Sequence, residues 1–292
     1  MIVVDQFREA RAAAAGSVGL VPTMGFLHEG HLACVDALRD LVDTLTMSLF
    51  VNPLQFEDPA DLERYPRDLE RDAALAESAG VDVLFAPTIE EMYPTEPLTR
   101  VRVRVVSEGL EGAHRPGHFV GVATVVAKLF AGLGPHSAGF GKKDAQQLAV
   151  VRRLAVDLSM PVEIVAVSTV RESDGLALSS RNVLIEDRRA ALGLSRGLFA
   201  AAAAARGGER SGERLEGLVI DAVTGAGAVV EYAALADAAS AQRIPELDRR
   251  AFLAVAARVG GVRLIDNVPL DEDGTADLGT RLGAPSILYG GN

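Results

Sequence analysis

Along the first 170 residues, short apolar runs alternate with stretches in which apolar residues recur every three or four positions. Residues 18–21 and 45–50 read as buried strands. Between them, residues 32–42 place Leu32, Val35, Leu38 and Leu41/Val42 on one helical face. Residues 61–79 form a second helical stretch closed by Gly80, and residues 81–85 a third strand stopped by Ala86-Pro87. Residues 101–105 alternate around Arg102 and Arg104, which predicts a half-exposed strand. Further on the pattern predicts an apolar helix over 120–133, a strand over 137–140, a helix over 145–158 and a strand over 162–167. Strands separated by helices predict an α/β fold with a doubly wound parallel sheet.

The character changes between Ser173 and Ile185. Residues 185–205 are Ala-rich and helical, and 206–212 reads as a linker or helix-to-helix turn. Residues 229–235, 252–259 and 262–265 read as antiparallel strands, the last two joined at Gly260-Gly261 by a hairpin. This predicts a smaller α+β domain over 175–292, after a first domain over 1–174.

Composition narrows the class. The chain has 292 residues, 49% hydrophobic and 24% charged, ordinary for a globular protein, and no apolar run reaches membrane-spanning length. The first five residues lack the basic-then-apolar layout of a secretion signal, and a lone cysteine, Cys34, excludes an internal disulfide framework. A cytoplasmic location is expected. Cys34 falls in the apolar pattern of its helix and reads as core. A net charge of −11 argues against nucleic-acid binding, so an anionic ligand needs a local positive site. The lysines are Lys128, Lys142 and Lys143, in a chain that otherwise uses arginine. Two adjacent lysines in a Gly-flanked loop suit a site needing a compact point charge, or are chance survivors of codon bias.

Chemistry concentrates in a few loops. Residues 22–31 run from a strand to a helix, with Gly25 and Gly30 allowing close backbone approach and His28 and His31 three residues apart. A helix start offers unpaired N–H groups and a partial positive charge, a seat for phosphate. The spacing fails the His-Glu-x-x-His zinc pattern. Two readings stay open: a structural histidine pair, or two imidazoles donating to charge on a leaving pyrophosphate. Phe140-Gly141-Lys142-Lys143-Asp144 lies between a strand and a helix but fails the Walker A test, since position 136 is His and position 143 is Lys. It offers a Gly, one or two ammonium groups and a helix start, or is a solvated surface loop. Leu178-Ser179-Ser180-Arg181-Asn182 carries two hydroxyls and a guanidinium on what reads as a flexible loop able to close over phosphates, or is an ordinary Ser-rich turn. Gln55 stands just past the end of a strand, where open α/β sheets bind ligands, and Gln146 and Gln147 open a later helix. His114–His118 is a further polar loop, placed near this cleft or an interface.

Taken in order, these stretches resemble the pantothenate synthetase (pantoate–β-alanine ligase) family. The matching segments are residues 21–31, 50–56, 65–67, 115–126, 140–147, 171–182 and 263–267. The resemblance implies a Rossmann-like first domain of the nucleotidylyltransferase superfamily, a smaller C-terminal domain acting partly as a lid, and a cytoplasmic homodimer without membrane or nucleic-acid partners. It implies condensation of pantoate with β-alanine using ATP, through a pantoyl adenylate, giving pantothenate, AMP and pyrophosphate. ATP contacts would fall on Met24, Gly25, Phe26, Leu27, His28, Glu29, Gly30 and His31. They continue on Gly141, Lys142, Lys143 and Asp144, then Val170, Leu178, Ser179, Ser180 and Arg181. His31 matches the proton donor, and His28, Lys143 and Arg181 match groups acting on the phosphates. Gln55 matches a residue touching both pantoate and β-alanine, and Gln147 a second pantoate contact. Mg²⁺ would bridge ATP oxygens. Its protein ligands are not evident from the sequence, with Asp72 the candidate. The chain departs from the family in having Lys142 where Glu is usual, Ala145 where an aromatic precedes the two glutamines, and Val183 or Leu184 where an aromatic is common.

Overall fold

The computed structural model describes residues 1–289. The chain divides into two compact units. The first comprises Met1–Ser107, Glu111–Gly141 and Val150–Val167; the second comprises Glu108–Leu110, Lys142–Ala149 and the chain from Ser168 onward.

The strands of the first unit are β1 (Ile2–Val4), β2 (Val18–Thr23), β3 (Thr44–Leu49), β4 (Val83–Phe85), β5 (Ser137–Gly141) and β6 (Glu163–Val167). They form one sheet in the order β1-β4-β3-β2-β5-β6, and every neighbouring pair is parallel. Parallel neighbours need crossovers, which helices supply. These helices are α1 (Phe7–Ala13), α2 (Glu29–Arg39), α3 (Pro59–Arg64), α4 (Leu69–Ser78), α5 (Ile89–Met92), α6 (Glu111–His114) and α7 (His118–Leu133), followed by α8 (Ala145–Asp157). The chain winds outward from β2 to β4, then returns to the other side of β2 at β5. That reversal is the switch point of a doubly wound sheet, where the carboxyl ends of the strands leave room for a ligand. Val21, Leu38, Leu45, Met47 and Leu84 form the core here, all 1% exposed or less.

Three expectations fail for local reasons. The helix expected over 61–79 is two helices, α3 and α4. Pro66 has no N–H to donate and holds Tyr65 extended, with φ −62° and ψ 123°. The helix after His31 ends at Arg39, and Leu41 is 59% exposed rather than part of the apolar face. Residues 101–103 have no regular structure and 104–105 enter a turn, so no strand forms, and Val105 takes φ +68°. Conversely, the pattern along the chain does not predict β1 and α1. Three residues are too few for periodicity to show, and β1 exists because β4 pairs with it.

In the second unit β8 (Val229–Asp237), β9 (Ala251–Val259) and β10 (Val262–Leu270) form an antiparallel sheet in the order β10-β9-β8. As expected, β9 and β10 meet at Gly260-Gly261. Helices α9 (Arg188–Arg206) and α10 (Gly212–Gly225) pack on this sheet through Leu194, Leu198, Leu215, Val219 and Val223. Each starts at a capping side chain, Asp187 and Ser211 respectively. A separate pair joins β7 (Val170–Arg171) to β11 (Thr280–Arg281), in parallel. The division thus falls before β7 rather than at residue 174. No described helix is long and apolar enough to cross a membrane.

One ion pair is completely enclosed in the second unit. Arg171 Nη1 and Nη2 reach Asp266 Oδ2 and Oδ1 at 2.6 and 3.0 Å, with side-chain exposures of 0% and 2%. Arg171 also donates to the carbonyls of Gly175, Asn267 and Leu278, so its donors are well used. Removing one partner leaves a buried charge uncompensated, which costs about 3–5 kcal/mol. Asp266→Ala should therefore lower the urea midpoint of unfolding by a corresponding amount, while Asp248→Ala, whose partner Arg249 is exposed, should leave it nearly unchanged.

Candidate active site

In the first unit, β2 runs into a loop that holds Met24–Leu27 and then into α2, with His28 as N-cap and His31 in the first turn. The expected unpaired N–H groups are partly taken up by the histidines themselves. His28 Nδ1 accepts from Gly30 N at 3.1 Å, and His31 Nδ1 accepts from the N–H of His28 at 3.2 Å. The rings stack at 4.1 Å between centroids, tilted by 36°. An imidazole nitrogen that accepts carries no proton, so in this arrangement each neutral ring bears its hydrogen on Nε2. The helix start thus presents two imidazole side chains rather than open backbone N–H groups at these positions. Gly30 permits this, since a Cβ there would come within 2.8 Å of His28 Cε1.

The loop before α2 is strained, with φ +85° at Gly25 and +52° at Phe26. It is held by Asp72, a carboxylate on the buried face of α4. Asp72 Oδ2 accepts from Phe26 N at 2.6 Å and Oδ1 from Leu27 N at 2.7 Å. Arg71 Nη1 reaches Asp72 Oδ1 at 3.2 Å, Nη2 donates to the carbonyl of Leu27 at 3.0 Å, and the guanidinium lies over the Phe26 ring. Burial raises the Asp72 carboxyl against the pull of the two N–H groups and Arg71. This corrects the reading of Asp72 as a metal ligand: both oxygens are occupied by the loop. Of the expected ATP contacts, Phe26 and Leu27 have their N–H groups directed at Asp72. Leu27 is fully buried in the core.

Gln55 follows β3 in a short 3-10 turn, Pro53–Gln55. Its orientation is set by Asn52, which is 1% exposed. Asn52 Oδ1 accepts from Leu54 N and from the Tyr93 hydroxyl, so its Nδ2 donates, to the Gly121 carbonyl and to Gln55 Oε1 at 3.1 Å each. Gln55 Nε2 is left 2.9 Å from Met24 Sδ. A thioether is a weak acceptor, so this amide favours any better oxygen offered to it. Burial pushes the Tyr93 phenol up to about 12, keeping it a donor. The polar loop before α7 packs here too: His118 Nδ1 lies 3.0 Å from the Gln55 carbonyl and Arg115 Nη2 3.4 Å from it. Cys34 is core as expected, its thiol pushed up to about 12 by burial.

In the second unit, Lys142–Asp144 form one 3-10 turn running into α8. Lys142 does not present its charge as expected. Its Nζ lies 2.7 Å from Asp277 Oδ2, which also accepts from the Ser168 hydroxyl. The Lys143 ammonium has no partner among the described residues. The glutamines separate as well. Gln146 is buried, with Nε2 donating to the Gly109 carbonyl, whereas the half-buried Gln147 side chain has no hydrogen bond among the described residues. Val170 and Leu178 are joined through Leu178 N and the Val170 carbonyl, at 2.9 Å, and both are buried. Ser179–Asn182 is not an open loop. Ser179 caps a 3-10 turn over Ser180–Leu184 by accepting from Arg181 N, and Asn182 is tied to Glu172 and the Ala177 carbonyl. Arg188 engages Glu172 and Asp174. Val183 and Leu184 are 37% and 49% exposed.

A doubly wound parallel sheet with a His-x-Gly-His helix start at its switch point defines a Rossmann-like α/β enzyme. The model of the pantoate–β-alanine ligase family matches residues 2–269. Pantothenate synthetase from Heliobacterium modesticaldum is 50% identical over 270 residues, 91% of this chain and 94% of that one. The crystal structure of pantothenate synthetase from Thermus thermophilus is similar with a TM-score of 0.88 at 47% identity, covering 93% of this chain and 99% of that one. The Francisella tularensis pantoate–β-alanine ligase, described as complexed with β,γ-ATP and β-alanine, has a TM-score of 0.73 at 31% identity, covering 94% and 98%. The chain belongs to the pantoate–β-alanine ligase family.

The residues whose part the sequence reading missed are Asn52, Tyr93, Asn267 and Asp277. Asp72 had a readable signal, a carboxylate four residues from Ala76 on the buried face of α4. Asp72→Ala orphans two N–H groups at about 1–3 kcal/mol each, so a destabilisation of about 2–4 kcal/mol is expected in urea unfolding. Burial would raise the Asp277 carboxyl, but Lys142, the Ser168 hydroxyl and the Gly279 N–H outweigh it and hold it below the usual range. A carboxyl lowered in the folded state adds stability above its unfolded pKa, near about 3.9, and loses it as pH falls through the folded value. Asp277→Asn should therefore be less stable than the parent at pH 7. The gap should narrow as pH falls through and below the usual carboxylate range when unfolding midpoints are compared.

Proposed function

We propose that this chain condenses pantoate with β-alanine using ATP, through an enzyme-held pantoyl adenylate. The observation that carries this is the paired histidine cap of α2. Its two imidazoles bear their protons on Nε2, at the switch point of a sheet belonging to this family. In the first step a pantoate carboxylate oxygen bonds to the α-phosphorus and the bond from that phosphorus to pyrophosphate breaks. Negative charge grows on the departing oxygens. His31 and His28 donate Nε2–H to that charge, His31 to the leaving pyrophosphate, and the Lys143 ammonium and Arg181 guanidinium neutralise the rest. In the second step the neutral amine of β-alanine bonds to the activated carbonyl carbon. The carbonyl–phosphate bond breaks, AMP leaves, and the nitrogen gives up a proton.

Gln55 suits the acid substrates because Asn52 holds its amide oxygen and leaves its Nε2 on a weak thioether acceptor, which a hydroxyl or carboxylate oxygen would replace. Gln147 is the second pantoate contact. Met24, Gly25, Glu29 and Gly30 flank the nucleotide, as do Gly141, Asp144, Val170 and Leu178–Arg181. Lys142 is left out of this set, because its charge is engaged by Asp277. Mg²⁺ would arrive on the phosphates of ATP and neutralise their charge. Asp72 does not fit as its ligand, and no group of three His, Cys, Asp or Glu among the described residues is placed to hold an ion. A cytoplasmic homodimer is part of the same proposal, and sedimentation velocity reads its mass.

A coupled AMP-release assay tests the reading by omitting each substrate in turn. AMP should form only with ATP, pantoate and β-alanine together. Release of ADP, or AMP formation indifferent to both acids, would overturn it. His31→Ala should retain its fold and lose about 10²–10³ in kcat, the scale of one donor to developing charge. Lys143→Ala should raise the KM for ATP and lower kcat.

A further inference from the structure

The segment Arg263–Asn267 matches the family, yet the proposed chemistry gives it no task. It is part of β10, and Asp266 and Asn267 are 3% and 2% exposed. The Asn267 side chain engages both of its protons on one turn: Nδ2 lies 3.0 Å from the Lys142 carbonyl oxygen and 2.6 Å from that of Lys143. Its backbone is braced separately. The Asn267 N–H donates to Asp266 Oδ1 at 2.7 Å, and its carbonyl accepts from Arg171 Nη2 at 3.2 Å. Asn267 Oδ1 is buried with no hydrogen-bond partner. The amide is therefore held in one sense. Turned over, it would set its oxygen against two carbonyl oxygens.

A second tie reaches the same turn, from Lys142 Nζ to Asp277 Oδ2 at 2.7 Å. Asp277 is itself fixed by the Ser168 hydroxyl at 2.7 Å and the Gly279 N–H at 3.0 Å. Lys142 is thus held by both its ammonium and its carbonyl. Lys143 is held by its carbonyl alone, and its ammonium has no partner among the described residues.

We infer that Asn267 is a positioning residue for nucleotide binding. By donating to the Lys142 and Lys143 carbonyls it fixes the main chain from which the Lys143 ammonium reaches phosphate oxygens, with the Lys142–Asp277 pair as the second tie. The inference rests on the ligase reading only for the ligand, ATP. A long flexible lysine on a loose turn must be ordered when phosphate binds. On a pinned turn much of that ordering is already done.

The test uses the full chain and a non-hydrolysable ATP analogue, with Kd from titration calorimetry. Asn267→Asp keeps the size and replaces the donor by a carboxylate facing two carbonyls. Asn267→Ala removes the donor without repulsion and keeps both backbone bonds, so it remains informative if the first variant fails to fold. Each is made in the parent and in Lys143→Ala, with unfolding midpoints alongside. In the parent, Asn267→Ala should weaken the analogue about tenfold and Asn267→Asp more. In Lys143→Ala neither should change Kd beyond about twofold, the scale within which independent sites add. The KM for pantoate should stay unchanged in both variants. An unchanged Kd in Asn267→Ala overturns the inference. So does an equal loss in both backgrounds, which is what a merely structural residue gives. A parent chain that does not bind the analogue overturns it as well. Failure of the ligase reading shows separately, as analogue binding without acid-dependent AMP release.

Discussion

Each imidazole at the start of α2 uses Nδ1 to accept a backbone N–H, and the proposed chemistry of the first unit depends on that choice of nitrogen. A helix start must satisfy its first N–H groups. Here the groups that satisfy two of them are the same ones whose other nitrogen is the donor in the proposed mechanism. Capping fixes the tautomer, and the tautomer makes each ring a donor. A Ser or Asp cap would serve the helix equally well and leave no donor facing outward. Gly30 is part of the same constraint, because a side chain there would displace the His28 ring.

The rest of the site repeats this economy of polar groups. Asp72 compensates the strain of positive φ at Gly25 and Phe26 with two short bonds, so the loop that leads into His28 has one conformation. Asn52 has both its amide oxygen and its amide nitrogen already committed, and so it fixes which end of the Gln55 amide faces Met24. In the second unit Asn267 does for the Lys142–Lys143 main chain what Asn52 does for Gln55. In each case a buried amide of fixed orientation sits behind a residue assigned to the ligand. A buried polar group that is fully used costs little and specifies geometry, whereas an unused one is costly.

The lysine at position 142 has a partner of its own. A lysine beside Lys143 would add a second positive charge to the same turn. The Asp277 carboxylate and the Ser168 hydroxyl hold that charge 2.7 and 3.5 Å away from themselves, in a local neutral pair. Lys143 is then the lysine of this turn whose ammonium has no partner among the described residues, the one proposed to meet phosphate.

Local periodicity is enough to set the class of fold, because strand and helix patterns are read within a few residues and an alternating βα order admits few topologies. The chain also marks Pro22–His31, Gln55 and Gly141–Asp144 on its own, since glycines, histidines and lysines in loops after strands have few structural reasons to be there. The partners, by contrast, come from the fold alone. Asp72 and Phe26 are 46 residues apart, Lys142 and Asp277 are 135 apart, and Asn267 and Lys143 are 124 apart. No periodicity reports on pairs so distant. The sense of a hydrogen bond, which nitrogen accepts and which end of an amide donates, follows from those partners and not from the residue type. For the same reason Asp72 reads from the sequence as a candidate metal ligand and Lys142 as a phosphate contact: the sequence shows that a charge is present, and only the fold shows that Phe26 and Leu27 engage Asp72 and that Asp277 engages Lys142.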